Sequence, residues 1–475
     1  MNAVSSLMYF TPELILVGAS LIILFLDLLG LSKRWLGLLS VLFLAGALSS
    51  LIVTQEPTRI FSDLFLLDGL SYLFKILALV MVGLPILASI ESNHIPEKQK
   101  GEFFVLMLAL AFLLIVMGSS TNLLMIFLAT ESVSLTSYIL TGFQKFNKRS
   151  AEASLKYLLF GTVASAILLF GISLIFGLTG TLELGQIPPA IQQIGPQGLA
   201  CTLIALLFML VGFGFKISMA PFHMWAPDVY EGAPTPVSAF LTVAPKSFGF
   251  LILFRVLLTA FPFIHAKWSS VLVTLSILTM TIGNITAVSQ SNIKRLLAYS
   301  SVAQAGYILM GLAVSNEIGR QAIFIYIVTY LFTNLGAFLT VSVIEQSENT
   351  NELNAYNGLA RRSPILAMSL TIFMLSLAGI PPLAGFIAKW YVFASAVQGG
   401  FVTLAVAAAL NSAVAGFYYF KVVKAMYLTP SDKASPISRN GFAFLAIAIA
   451  LIGVVAIGLF PSPVIAFVQN ALSSG

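Results

Sequence analysis

Apolar residues fill runs of about 20 along this chain, the length that carries an α-helix across a bilayer core, and short polar stretches separate the runs. About fourteen such runs can be read. They cover 11–30, 34–53, 68–90, 102–119, 121–143, 154–177, 198–220, 234–259, 269–289, 293–313, 320–344, 365–398, 402–427 and 441–461. The pattern predicts an all-α polytopic membrane protein. The first run reads as a span, not as a secretory signal, because Glu13 precedes it in place of a basic region and no small-residue cleavage site follows. The twelfth run is too long for one straight helix. "AGIPPLAGF" (378–386) interrupts it: Pro381 and Pro382 remove backbone donors, and Gly379 and Gly385 loosen the helix.

Composition strengthens this reading. Of 475 residues, 59% are hydrophobic and 9% charged, whereas soluble domains carry about 25% charged residues. So much apolar surface requires lipid as part of the solvent. The single Cys201 excludes an intrachain disulfide and a cysteine-based metal cluster. There is no GxGxxG, P-loop, HExxH or paired CxxC; "GFGFKIS" (212–218) lacks P-loop spacing and lies in an apolar run. A stand-alone enzyme, which needs a nucleophile–base or metal constellation, is not expected.

The net charge of +6 is a topology signal. Odd-numbered connections carry Lys33, Arg34, Lys98, Lys100, Lys145, Lys148, Arg149, Lys294, Arg295, Arg361, Arg362, Lys421, Lys424, Lys433 and Arg439. Even-numbered ones carry Arg59, Lys267 and Arg320. Fifteen against three places the odd connections in the cytoplasm and both termini on the other side. No nucleic-acid partner is needed to explain the basic balance.

Two segments recur. "SVSLTSYILTGF" (132–143) matches "SVAQAGYILMGL" (301–312), and "GFGFK" (212–216) matches "GFIAK" (385–389), at nearly equal offset. The repeating units are spans four to eight and nine to thirteen. Five is odd, so the second unit is inverted relative to the first, the arrangement of transporters that place an ion site at broken helices. The expected organisation is an N-terminal three-helix segment (1–100), a first repeat (101–260), an inverted second repeat (261–430) and a C-terminal helix (431–475).

Apart from the connection residues, six basic ones remain inside the runs, Lys75, Lys156, Lys216, Lys246, Arg255 and Lys389; the clearest acid in a run is Glu131, and Asp27 lies near the cytoplasmic end of the first. Each costs about 2.5–3.5 kcal/mol at the bilayer centre, so function is the default reading. Arg255, near a span end, is expected to snorkel. Lys156 has Glu152 one turn before it and forms a local helix pair. Lys216 and Lys389 occupy equivalent positions in the two repeats, and Glu131 is expected to pair with Lys216. A charged lysine has no acceptor with which to hold a cation, so a row of lysines points to proton transfer. His94 and His265 fall in connections and are expected to be solvated. His223 lies in a proline- and aromatic-rich connection (220–238) that reads as packed, and is expected to be a satisfied structural histidine.

The segments "FKISMAPFHMWAPDVYEGAPTPVSAFL" (215–241), "SNIKRLLAYSSVAQAGYIL" (291–309) and "LSLAGIPPLAGFIAKW" (375–390) resemble the antiporter-like membrane subunits of respiratory complex I, the proton-pumping NADH–quinone oxidoreductase. The superfamily includes subunits of multisubunit cation/proton antiporters and membrane-bound hydrogenases. The chain is most similar to the N-type subunits: its length allows no long lateral helix, and lysines stand at 246 and 389. The resemblance implies broken helices 7 and 12, with Gly212 and Gly214 suited to the first break. It also implies a central proton-translocating axis of Glu131, Lys216, Lys246 and Lys389, with Lys156 beside the first pair. It implies no NADH, FMN, Fe–S cluster or quinone in this chain, these belonging to other subunits of the complex. The implied partners are the other membrane-arm subunits, through them the peripheral NADH-oxidising arm, and the lipid bilayer, in a bacterial plasma (inner) membrane. A sodium-moving antiporter subunit and a non-transporting docking subunit are the alternatives.

Overall fold

The computed structural model describes residues 3–51, 57–431, 437 and 440–473. Two basic residues of the last odd connection, Lys433 and Arg439, lie outside them. The helices run in chain order as α1 (Ala3–Tyr9), α2 (Thr11–Leu28), α3 (Lys33–Ser49), α4 (Gly69–Ser89), α5 (Lys100–Ser119), α6 (Leu123–Thr141) and α7 (Lys148–Thr179). Then come α8 (Ile187–Ile194), α9 (Pro196–Ile217), α10 (Trp225–Gly232), α11 (Thr235–Arg255), α12 (His265–Val288), α13 (Ile293–Val314) and α14 (Glu317–Glu348). The chain ends with α15 (Leu359–Arg362), α16 (Pro364–Ala378), α17 (Ala384–Gln398), α18 (Val402–Leu428), α19 (Gly441–Leu459) and α20 (Ser462–Ser473). Among the described residues, 12 helices are long and apolar enough to cross a membrane. The second expected span, α3, is 17 residues long, and the twelfth is two helices, α16 and α17, of 15 residues each.

The breaks have local causes. Gly379, at φ +87°, ends α16 in the left-handed region that favours glycine, and α17 starts after Pro381–Pro382. On the other side, α9 runs unbroken through Gly212 and Gly214 and stops just after Lys216, where Ser218 takes φ +56°. The two glycines serve packing instead. A Cβ on Gly212 would lie 2.5 Å from the Leu168 Cβ of α7, and one on Gly214 would lie 2.7 Å from the Phe222 ring.

The inverted repeat is visible in the packing. In the first unit α5 packs on α6, α6 on α7, α7 on α9, α9 on α11, and α11 back on α5; in the second α12 packs on α13, α13 on α14, α14 on α17, α17 on α18, and α18 back on α12. Each unit also carries the same small β-bridge. Asn122 faces Glu183, with Leu123 N–H donating to Leu182 O and Leu184 N–H to Thr121 O. Asn292 faces Glu352, with Ile293 N–H donating to Asn351 O and Leu353 N–H to Ser291 O. Both asparagines cap the helix that follows, α6 and α13. The bridges lie at opposite ends of the bundle. α6 starts at the first, runs about 28 Å at 1.5 Å per residue, and reaches Gln144, which shares a cavity wall with Asn292 and Asn351.

The centre of the bundle is α4, α11, α13 and α14, buried along most of their length; α2, α7, α12, α18 and α19 leave long Leu, Ile, Val and Phe faces uncovered. Such faces are at no disadvantage in lipid, which is as apolar as they are.

Candidate functional site

Lys216, Lys246 and Lys389 are 3%, 3% and 5% exposed. Among the described residues none has a carboxylate within ion-pair distance of 4.0 Å. Hydroxyls and carbonyls hold them instead. Lys216 Nζ donates to Ser134 Oγ at 3.0 Å and to Thr130 O at 3.4 Å. Lys246 Nζ donates to Ser301 Oγ at 2.7 Å and Ser301 O at 3.2 Å, and lies 5.5 Å from the Tyr230 ring centroid. Lys389 Nζ donates to Ala378 O and Ser412 Oγ, both at 2.9 Å, and lies 5.0 Å from the Tyr307 ring centroid. Neutral ligands solvate an ammonium without supplying a countercharge.

The expected direct Glu131–Lys216 pair is not formed. The Glu131 carboxylate accepts from the Ser165 hydroxyl of α7. The reason is helical phase: Thr130 and Ser134 are four residues apart on α6 and share the face toward α9, whereas Glu131 is turned by about 100° from Thr130. Glu131 stands one residue away from the carbonyl that Lys216 holds.

A row of polar groups lies between the other two lysines, hydrogen-bonded through its middle and reaching each lysine only through a neighbouring residue of the chain. Ser300, next to the Ser301 that holds Lys246, is 2.5 Å from Tyr419 Oη. Gln304 Nε2 donates to Tyr419 Oη at 3.0 Å and to Leu377 O at 3.2 Å, and Gln304 Oε1 accepts from Tyr326. Leu377 precedes Ala378, whose carbonyl holds Lys389. Ser300, Gln304 and Tyr307 share one face of α13, so the second repeat unit supplies the bridge. Sequence reading missed these residues, because Ser, Gln and Tyr in a membrane helix carry no charge to mark them.

Lys156 stands apart from this row. Its side chain is 40% exposed and pairs with Glu152 at 2.8 Å, as expected, and with Asp228 of α10 at 2.7 Å. Arg295 in turn holds Asp228 at 2.8 Å and Glu231 at 2.9 Å. Burial raises the Asp228 carboxyl, but its bonds to Lys156 and Arg295 outweigh this and hold it below the usual carboxylate value.

Three expectations are corrected, for Arg255, His94 and His223, and Lys75 gains a partner. Arg255 does not snorkel. It is 6% exposed and bonds Asp68, the N-cap of α4, at 2.6 Å, because α4 begins where α11 ends. Lys75 has a partner that the sequence did not offer: Glu13 of α2 at 2.7 Å, with both side chains 1% exposed. His94 is not solvated; its Nε2 is 2.9 Å from Ser342 O of α14. His223 is buried as expected, yet its Nδ1 has no partner among the described residues. Burial, and then the nearby Lys246, push its imidazole below the ordinary value.

A family model described as "NADH:quinone oxidoreductase/Mrp antiporter, TM" matches residues 120–415. The NADH-quinone oxidoreductase subunit N of Trichlorobacter lovleyi is 40% identical over 97% of this chain and 96% of its own length. A chain of respiratory complex I from Thermus thermophilus superposes with a TM-score of 0.82 at 33% identity, over 96% of this chain and 98% of that one. A chain of an archaeal membrane-bound sulfane sulfur reductase shares the fold, with a TM-score of 0.87 at 22% identity, over 100% of this chain and 98% of that one.

Proposed function

Because the chain belongs to the NADH:quinone oxidoreductase/Mrp antiporter family, we propose that it is a proton-translocating, N-type membrane subunit of an NADH–quinone oxidoreductase. Other subunits carry the NADH, flavin, iron–sulfur and quinone chemistry; this chain moves protons. The observation that carries the reading is the row of buried ammonium groups, Lys216, Lys246 and Lys389, held by neutral ligands and joined in part by Ser300, Tyr419 and Gln304. Glu131 tunes Lys216, Lys246 passes the proton centrally, and Lys389 exchanges it at the break between α16 and α17. Lys156, paired with Asp228, reports on α10, which lies between Lys216 and Lys246 in the chain. Moving one charge against 100 mV costs about 2.3 kcal/mol, which electron transfer elsewhere in the complex supplies. The excess of Lys and Arg puts the odd connections on the cytoplasmic side of a bacterial plasma membrane.

The test is Lys216→Met in the intact complex, with proton translocation and NADH oxidation measured together in membrane vesicles. The expected result is an assembled complex that oxidises NADH and has lost this subunit's share of pumped protons, with no dependence on sodium. A wild-type ratio of protons to electrons removes Lys216 from the mechanism.

A further inference from the structure

A cavity of about 380 Å³ opens at the end of the bundle that carries the basic connections. Loop, α11, α13 and α14 meet there through His94, Thr235, Lys294, Glu345 and Asn351. A second cavity of about 310 Å³ adjoins it, and Arg149, Glu231 and Gly232 line both. The first has ample room for several waters.

Lys294 looks like a connection residue in sequence, but it is 1% exposed. Its Nζ donates to Ala233 O at 2.8 Å and to Thr235 Oγ1 at 3.1 Å. The Thr235 hydroxyl in turn donates to Glu345 Oε2. The other Glu345 oxygen accepts from Asn351 at 2.5 Å, and His94 Nε2 lies 3.8 Å from Oε2. The ammonium and the carboxylate are thus separated by one hydroxyl that accepts from the first and donates to the second. A hydroxyl between the two charges can accept a proton on one side as it gives one up on the other. Burial pushes the His94 imidazole below its ordinary value, against the pull of Glu345, so near pH 7 it is neutral, with one nitrogen to donate and one to accept.

The cluster also points toward the axis. Thr235 opens α11, and Ser238, Thr242 and Lys246 follow at i+3, i+7 and i+11, stacked on one helix face over about 17 Å. All four are buried. From α14, Asn334 Nδ2 donates to Thr242 Oγ1 at 2.7 Å and Tyr330 Oη to Thr242 O at 3.4 Å. Asn334 Oδ1, buried and without a partner among the described residues, adds an acceptor to this face.

We propose that Thr235 and Glu345, poised by Lys294 and His94, form the proton-loading site of this chain, delivering protons from the basic-end cavity along the Thr235–Ser238–Thr242 face to Lys246. Each step moves one proton and no electrons. The Glu345 carboxylate takes a proton from a hydronium ion of the cavity and leaves water. The carboxylic acid gives it to the Thr235 oxygen as the Thr235 hydroxyl proton passes to water, which carries it past Ser238 and Thr242, whose own hydroxyls donate to Tyr230 O and Ala239 O, to a neutral Lys246 amine, which becomes the ammonium. The Lys294 ammonium, beside Thr235, sets how long Glu345 keeps the added proton.

The inference rests on the proton-translocation reading, and the experiment separates the two. Protons pumped per electron pair are measured in vesicles holding the intact complex, for Thr235→Val, Thr235→Ser, Glu345→Gln and, alongside, Lys246→Met. Thr235→Val keeps the shape of the side chain and removes only the hydroxyl, so it decides even where Glu345→Gln fails to assemble. The expected result is that Thr235→Val and Glu345→Gln lose as many protons as Lys246→Met, while Thr235→Ser keeps the wild-type ratio. A wild-type ratio in Thr235→Val, with a loss in Lys246→Met, overturns the loading site and leaves the axis standing. Equal losses in Thr235→Val and Thr235→Ser make the role one of packing and also overturn it. A wild-type ratio in Lys246→Met removes the axis and the loading site together.

Discussion

Lys389 Nζ lies 2.9 Å from the carbonyl oxygen of Ala378, the last residue of α16. The ammonium of one half-helix therefore caps the open C-terminus of the other. The last carbonyls of a helix have no partner within it and carry negative potential, so a cation there is favourable by about 0.3–2 kcal/mol. Protonation of Lys389 and the geometry of the break are thereby coupled: a neutral amine holds α16 less firmly.

Gly379→Ala tests this arrangement. The residue sits at φ +87°, and an added Cβ would lie 2.7 Å from Lys389 Cδ. The left-handed backbone alone costs about 1–2 kcal/mol for a residue other than glycine. The expected outcome is a lower unfolding temperature of the complex, faster hydrogen exchange across 379–383, and reduced proton pumping.

Lys75→Met leaves the Glu13 carboxylate buried without its cation. Breaking a fully buried pair on one side costs about 3–5 kcal/mol, and removing both charges costs much less. Thermal unfolding of the single and double variants should give a severe loss for Lys75→Met and substantial recovery for Glu13→Gln/Lys75→Met. Equal losses in both would mean that the pair is not the source of the cost.

His94 predicts a pH dependence. Its folded-state value lies below 6.5, with burial the largest cause, Glu345 and the Ser342 carbonyl opposing it, and Lys294 adding to it. The unfolded chain then binds more protons than the folded one just below pH 6.5, so stability falls as the pH drops through that value toward the folded one. Between pH 7.5 and 5.5 the wild type should lose more of its unfolding temperature than His94→Gln, which cannot take up the proton. Arg149, Glu231 and Glu352 face the same cavity and contribute equally to both proteins.

Asn122→Ala and Asn292→Ala remove the same cap at opposite ends of the bundle. Each should cost about 1 kcal/mol. Unfolding temperatures of the two variants should fall by similar amounts if the two bridges do equivalent work; the second also removes the 3.2 Å bond from Asn292 to Glu231, which Arg295 still holds.

Much of the architecture was legible because the signals are local. Pro381 and Pro382 announce the break before α17, and the inverted repeat follows from a five-span unit with matching Gly-Phe and Lys positions. The N-terminal halves of the two β-bridges were also within reach, since "TNL" (121–123) and "SNI" (291–293) precede matching helices, and their partners "LEL" (182–184) and "NEL" (351–353) lie a similar distance on. The break after α9 was misplaced by a few residues: Gly212 and Gly214 mark tight packing, and the actual stop at Ser218 is signalled only by Pro221, three residues further on.

What the sequence by itself determined is where charge is carried into the membrane. An ammonium in an apolar run has a large unfavourable transfer free energy wherever the chain folds, so Lys216, Lys246 and Lys389 stand out before any contact is known. Only the tertiary structure decided what each charge meets. Arg255 finds Asp68, Lys75 finds Glu13, Lys294 is drawn inside against Thr235, and Glu131 turns to Ser165 and away from Lys216. The partners of the axis lysines are hydroxyls and backbone carbonyls, which every span offers in number, and only the packing of one helix face against another selects among them.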